Sequence, residues 1–139
     1  MSRADYTEAE YATTALQAFC FLAEQFRYKL ISVTEKIFFV RLVYRNRWKC
    51  RKIVIDNHYF PGDHGFGFFI HKLWTNESQL LHNQWIPADK MEDTLHEIKN
   101  SILGYPPFIS LIMGKNWKLK PSDFELYERS RLNHSGKMQ

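Results

Sequence analysis

Residues 36–55 read KIFFVRLVYRNRWKCRKIVI, and the alternation inside them decides the fold class. Successive side chains of a strand point to opposite faces. Phe38, Val40, Leu42 and Tyr44 therefore share one face, and Phe39, Arg41, Val43 and Arg45 share the other. The first set belongs against a core, the second against solvent or a partner. β-Branched and aromatic residues, which fit a pleated surface, resume from Trp48 to Ile55 after Arg45-Asn46-Arg47. A link that short joins antiparallel neighbours, because a parallel crossover needs about a dozen residues or more.

Working outward, strands are expected at about Tyr28–Thr34, Lys36–Tyr44, Trp48–Ile55 and Phe66–Trp74, with a tight connection at Glu35 and a longer loop through Asn57–Gly65. That makes a four-stranded antiparallel meander. Before it, Thr7-Glu8-Ala9-Glu10 is a capping box. It opens a helix to about Phe26 with Tyr11, Ala15, Phe19, Leu22 and Phe26 as its apolar stripe, while Phe21 falls off the stripe. After the sheet, Pro87 near a helix start, a stripe of Met91, Leu95, Ile98 and Ile102, and Gly104 past the end bracket a second helix. The apolar run Phe108–Met113 is too short to assign from periodicity. A second capping box, Ser122-Asp123-Phe124-Glu125, opens a last helix to about Arg131. The expectation is a single α+β domain over residues 1–131, helices mainly on one face of the sheet, and a flexible tail over 132–139.

The chain has 139 residues, enough to bury a core without covalent staples, and its 16% aromatic content supplies ample core material. Trp74, Trp85 and Trp117 are expected to close the core over the sheet, with a hydrophobic docking patch as the alternative. Cys20 and Cys50 lack metal or redox spacing and are expected as free, mostly buried thiols. Met1–Glu10 is polar and acidic, unlike a signal or transit peptide, and no apolar run approaches the roughly 20 residues of a membrane helix. A cytoplasmic protein without a membrane role is expected. The net charge of +4 favours polyanions or an acidic protein partner.

The most conspicuous feature is a basic hairpin in which Arg41, Arg45, Arg47, Lys49, Arg51 and Lys52 are interleaved with Tyr44, Trp48 and Cys50. Arg41, Arg45, Arg47, Trp48, Lys49 and Arg51 are the candidate partner-binding residues. Cations beside exposed aromatics suit an acidic protein patch or phosphate contact with base stacking. The plain alternative is a solvated face whose charges guard against edge pairing. A second candidate is the loop carrying Asp56, His58, Asp63 and His64, followed by His71. Carboxylate and imidazole there could serve a metal-dependent hydrolase or nuclease, yet Asp, Asn, Pro and Gly are also what a turn wants. No HExxH, paired CxxC, EF-hand, P-loop or dinucleotide fingerprint is present. No cofactor and no catalytic residue is therefore expected. His82 and His96 lie in a loop and on the polar side of a helix in this reading, without a visible partner.

Phe21-Leu22-Ala23-Glu24-Gln25-Phe26-Arg27-Tyr28-Lys29-Leu30, with Phe38–Arg45 and Ile53–Asp56, resembles a loose group of small bacterial proteins. They open with a helix reading roughly F-L-x-E-x-F-G-[FY]-K and run into a meander with a V-x-Y-x-N strand. Immunity proteins of polymorphic and contact-dependent toxin systems belong among them. The resemblance covers about the first half of the chain and rests on core and turn positions. Two departures stand out: Arg27 where the group has Gly, and a basic charge where a nuclease inhibitor is more often acidic. The resemblance implies a non-enzymatic inhibitor that occludes a toxin domain, and it assigns no individual functional residue. A nucleic-acid-binding protein using residues 41–52 and a small hydrolase using residues 56–64 are the competing classes.

Overall fold

The alternation of residues 36–55 is realised in a computed structural model that describes residues 8–60, 63–115, 117 and 119–135. Its sheet is antiparallel and runs in chain order: β1 (Lys29–Lys36), β2 (Phe39–Asn46), β3 (Arg51–Phe60), β4 (Asp63–Lys72) and β5 (Ser78–Pro87). The helices are α1 (Glu8–Ala18), α2 (Phe21–Glu24), α3 (Met91–Leu103), α4 (Pro106–Ile112) and α5 (Pro121–Ser135). The class is α+β, with one more strand than the four expected.

The fifth strand escapes a period-two reading for a local reason. Phe68 pairs with His82 and Phe69 with Leu80, so Leu81 is an extra residue in β5 and both Leu81 and His82 are buried. A bulge of this kind breaks the alternation that reveals a strand. His82 is accordingly a buried strand residue and not part of a loop. The expected loop Asn57–Gly65 is also mostly strand, since β3 and β4 stay paired out to Phe60 opposite Asp63.

One face of the sheet carries the core. Val40, Leu42, Tyr44, Ile53, Ile55, Phe66, Phe68 and Ile70 are buried against Phe19, Leu22, Leu95, Ile98, Ile102 and Phe108 from the helices. Each fully buried side chain of this size contributes about 1.5–3 kcal/mol. The Phe19 ring stacks on Phe66 at 5.9 Å and meets Phe68 at 5.8 Å.

The N-terminal helix breaks after Ala18 and restarts at Phe21. The break lets Phe19 and Phe21 both turn inward, which one continuous helix cannot do for neighbours two apart. Arg27 then takes a left-handed conformation, φ 63°, to enter β1. Asn46 stabilises this turn: its carboxamide donates to the carbonyls of Phe26 at 3.3 Å and Arg27 at 3.0 Å. The tight turn thus forms without a glycine.

The second expected helix is α3, entered through a 3-10 turn at Ala88–Lys90 and closed by the Gly104 N–H on the Asn100 carbonyl. The unassigned apolar run 108–113 falls mainly in α4, with Pro106 at its start. The last helix is tied down by polar contacts. Tyr105 donates to the Asp123 carbonyl at 2.6 Å, and the Tyr127 hydroxyl lies 2.7 Å from His82 Nδ1, with Gln84 Oε1 2.8 Å from Nε2. A neutral imidazole protonated at Nε2 satisfies both contacts. Neither cysteine is buried as expected: both are free, Cys20 exposed between α1 and α2 and Cys50 half-buried in the β2–β3 turn. Among the described residues, no helix is long and apolar enough to cross a membrane.

Candidate functional site

The other face of the sheet lies outside the main core cluster, with Val54 its one buried hydrophobic among the described residues, and antiparallel register sets its side chains in four rows. Lys29, Arg45, Lys52 and His71 form the first, at the end of the β2–β3 turn. Val43, Val54, Phe69 and Leu80 follow, then Arg41, Asp56, Gly67 and Asn83, then Phe39, His58, Gly65 and Trp85.

The third and first rows are electrostatic opposites. Arg41 grips Asp56 through both carboxylate oxygens, at 2.7 and 3.0 Å, with its guanidinium 5.3 Å from the centre of the Phe39 ring. Hydrogen bonding to Asp56 raises the Arg41 pKa further above its ordinary value. Lys29, Arg45 and Lys52, in contrast, stand directly opposite one another, and none of them forms an ion pair among the described residues. Like charges placed so across strands destabilise a sheet. Partial burial, then the charges of Lys52 and Arg41, hold the His71 pKa below the usual imidazole value, against the pull of Asp56.

Beyond that cationic row lies the β2–β3 turn, residues 47–50. Trp48 at its tip is 97% exposed, and Arg47 is exposed beside it. The turn is held from several sides. Asn46 Oδ1 accepts from the Lys49 N–H at 2.8 Å, Cys50 N–H donates to Arg47 at 3.1 Å, and Leu73 N–H donates to Cys50 at 3.0 Å. Gly114, φ 79°, lets the Lys49 backbone approach so closely that a Cβ there would lie 2.8 Å from the Lys49 carbonyl. The Leu73 bond brings the β4–β5 turn alongside, and with it Trp74, which is 74% exposed. Two exposed tryptophans therefore share one end of the sheet with Arg45, Arg47, Lys49, Lys52 and Lys72. Among the described residues, Lys72 alone of these meets an acid, Glu77 at 3.8 Å.

The six candidate partner-binding residues do not form one patch. Arg45, Arg47, Trp48 and Lys49 are gathered at this end, and Arg41 lies two rows away in its ion pair. Arg51 turns inward: it is 4% exposed, its Nε donates to the Leu111 carbonyl at 3.1 Å, its Nη1 reaches the Lys49 and Cys50 carbonyls, and its guanidinium lies 4.9 Å from the Trp117 ring centre. Trp74 and Trp85, expected to close the core with an exposed docking patch as the alternative, are both exposed, Trp85 at 62%. Only Trp117 of the three packs against the core.

In the second candidate, Asp56 and His58 do share a face of β3, with the His58 ring tilted against the Phe39 ring at 4.6 Å. The side chains of Asp63 and His64 lie outside the described residues, and His71 stands in a different row. Among the described residues, no three His, Cys, Asp or Glu side chains converge as a metal site requires. Asp56 and His58 instead border a shallow depression of about 330 Å³ with Gly65, Gly67, Asn83 and Trp85. No protein-family model matches the chain, and neither does any curated protein or solved structure.

Proposed function

We propose that this protein is a non-enzymatic protein-binding module of the immunity-inhibitor kind that its first half resembles. Its contact surface is the cationic end of the sheet: Arg45, Arg47, Trp48, Lys49, Lys52 and Trp74. The observation that carries this reading is the row Lys29–Arg45–Lys52. Three cations held opposite one another reduce the stability of the fold, and an acidic partner would relieve that repulsion on binding. The two exposed tryptophans supply what charge alone does not, large apolar anchors for affinity, while the cations set orientation and on-rate. The hydrogen bonds that fix the turn reduce the ordering cost of association.

The test uses the full chain as bait in extract from its native host at two salt concentrations, beside the double variant Arg45→Glu with Arg47→Glu. A stoichiometric protein retained by the parent at both salts and lost at least tenfold by the variant supports the reading. A nucleic-acid module is the second class, favoured by tryptophan rings beside cations. It would retain nucleic acid instead, with log affinity falling linearly in log salt. That outcome, or capture indifferent to the double charge reversal, overturns the protein-partner assignment.

A further inference from the structure

The depression on the open face differs from the cationic end in charge, shape and lining. Its floor exists because β4 places two glycines in succession on that face, Gly65 and Gly67, between Asp56 and His58 of β3 and Asn83 and Trp85 of β5. Two rings take part of the vacated space. The indole of Trp85 comes within 3.3 Å of where a Gly65 Cβ would stand, and the Phe69 ring within 2.8 Å of a Gly67 Cβ. Aromatic cover of a strand glycine has a purely structural use. It does not account for the exposed indole or for the polar rim beside it.

That rim is polar without carrying net charge. The charge of Asp56 is matched by the two-pronged contact from Arg41, which fixes the carboxylate and leaves its other lone pairs able to accept. Asn83 offers a donor and an acceptor in one plane, and His58 offers ring nitrogens from a position fixed by Phe39. Arg41 is committed to Asp56, and no described lining residue is a Lys or Arg, so no fixed cation in the lining would seat a phosphate or carboxylate. The volume, about 330 Å³, lies at the low end of ligand clefts, roughly 300–1,000 Å³. Its open, shallow form admits a ring that continues into a chain.

We propose that this depression binds a neutral sugar: one pyranose ring lies with its C–H face on the Trp85 and Phe69 rings and its edge hydroxyls on Asp56, Asn83 and His58. A pyranose combines an apolar face with a rim of neutral donors and acceptors, which is the complement of this lining. A hydroxyl-reading site discriminates strongly because its polar groups are left unpaired by an analogue that lacks the hydroxyls.

The test is titration of the ¹⁵N-labelled full chain with maltotriose, cellotriose, triacetylchitotriose and, as the aromatic control, adenosine, following indole and side-chain amide resonances. Expected is a saturable shift of the Trp85 indole and Asn83 amide with at least one trisaccharide, while Trp48 and Trp74 stay unmoved. Asn83→Ala should weaken that binding at least tenfold with an unchanged melting temperature. It is the decisive variant, because Trp85→Ala uncovers Gly65 and could disturb the strand. No shift with any of the three sugars, a response to adenosine alone, or full affinity in Asn83→Ala overturns the proposal. Because these readouts lie away from the cationic end, failure here leaves the protein-partner reading standing, and the converse holds.

Discussion

Arg41 and Arg51 sit on adjacent strands of the same sheet, ten positions apart in a run of cations, yet they live in different solvents. Arg51 points into the helix layer, is almost fully buried, and satisfies backbone carbonyls around Leu111, Lys49 and Cys50 beneath the Trp117 ring. Arg41 points the other way into water and pairs with a carboxylate. One is a structural bracket between sheet and helices, and the other is part of a surface. Strand parity alone makes the difference, so a count of charges along the hairpin overstates the size of its exposed cationic surface.

The largest way to break that contrast is truncation. Arg51→Ala leaves buried carbonyls without their donor and removes the cation over Trp117, and should cost about 3 kcal/mol in urea denaturation. Arg41→Ala breaks an exposed pair and should cost less than about 1 kcal/mol. Equal losses would refute the division into two environments.

Alkali offers a smaller, graded test of the covered face. Burial, with a lesser contribution from the nearby Cys20 thiol, pushes the Tyr44 hydroxyl up to about 12, and burial raises Tyr28 as well against the opposing charge of Arg51. Below pH 10 both hydroxyls are protonated whether the chain is folded or not, and their contribution to stability is complete. Above pH 10 the unfolded chain gives up protons that the folded chain keeps, so stability falls as pH rises toward 12. Melting temperature should therefore decline from pH 10 upward, and Tyr44→Phe should make the decline shallower. An identical slope in the variant would show that Tyr44 is not held protonated by its surroundings.

The smallest effect has the opposite sign and belongs to the open face. Arg45→Thr removes the middle cation of three and substitutes a good strand former. It should raise stability by a few tenths of a kcal/mol while weakening partner capture. A variant that is both more stable and less able to bind would separate the needs of the fold from those of function at this residue; a loss of stability would mean that Arg45 is held by contacts other than its neighbours.

How legible all this was varied with how local its cause is. Val40, Leu42 and Tyr44 announced the buried face of β2 because nothing interrupts their alternation, and α3 was legible because Met91, Leu95, Ile98 and Ile102 form its stripe and Gly104 ends it. β5 was hidden by one extra residue, Leu81. Arg51 was misplaced although Ile53 and Ile55, two and four positions on, mark its face as apolar; the density of charge around it masked the parity. For Trp74 and Trp85 the sequence could not choose between core and exposed patch, since exposure of a tryptophan depends on which elements pack over it, and that is a long-range outcome. The depression required knowing that Gly65 and Gly67 stand between Asp56, His58, Asn83 and Trp85, an arrangement made by register across three strands.

The order of strands in the sheet repeats their order in the chain, and this has a kinetic meaning. Every strand pairing can form as a hairpin between near neighbours in sequence, so the sheet itself requires little closure of long loops. Joining the sheet to α4 is different: the bond from the Tyr28 hydroxyl to the Ile112 carbonyl spans 84 residues, and the contact of Arg51 with Leu111 spans 60. Folding speed should accordingly follow the hairpins, while the contacts that knit α4 to the sheet act late and govern how long the native state survives once formed.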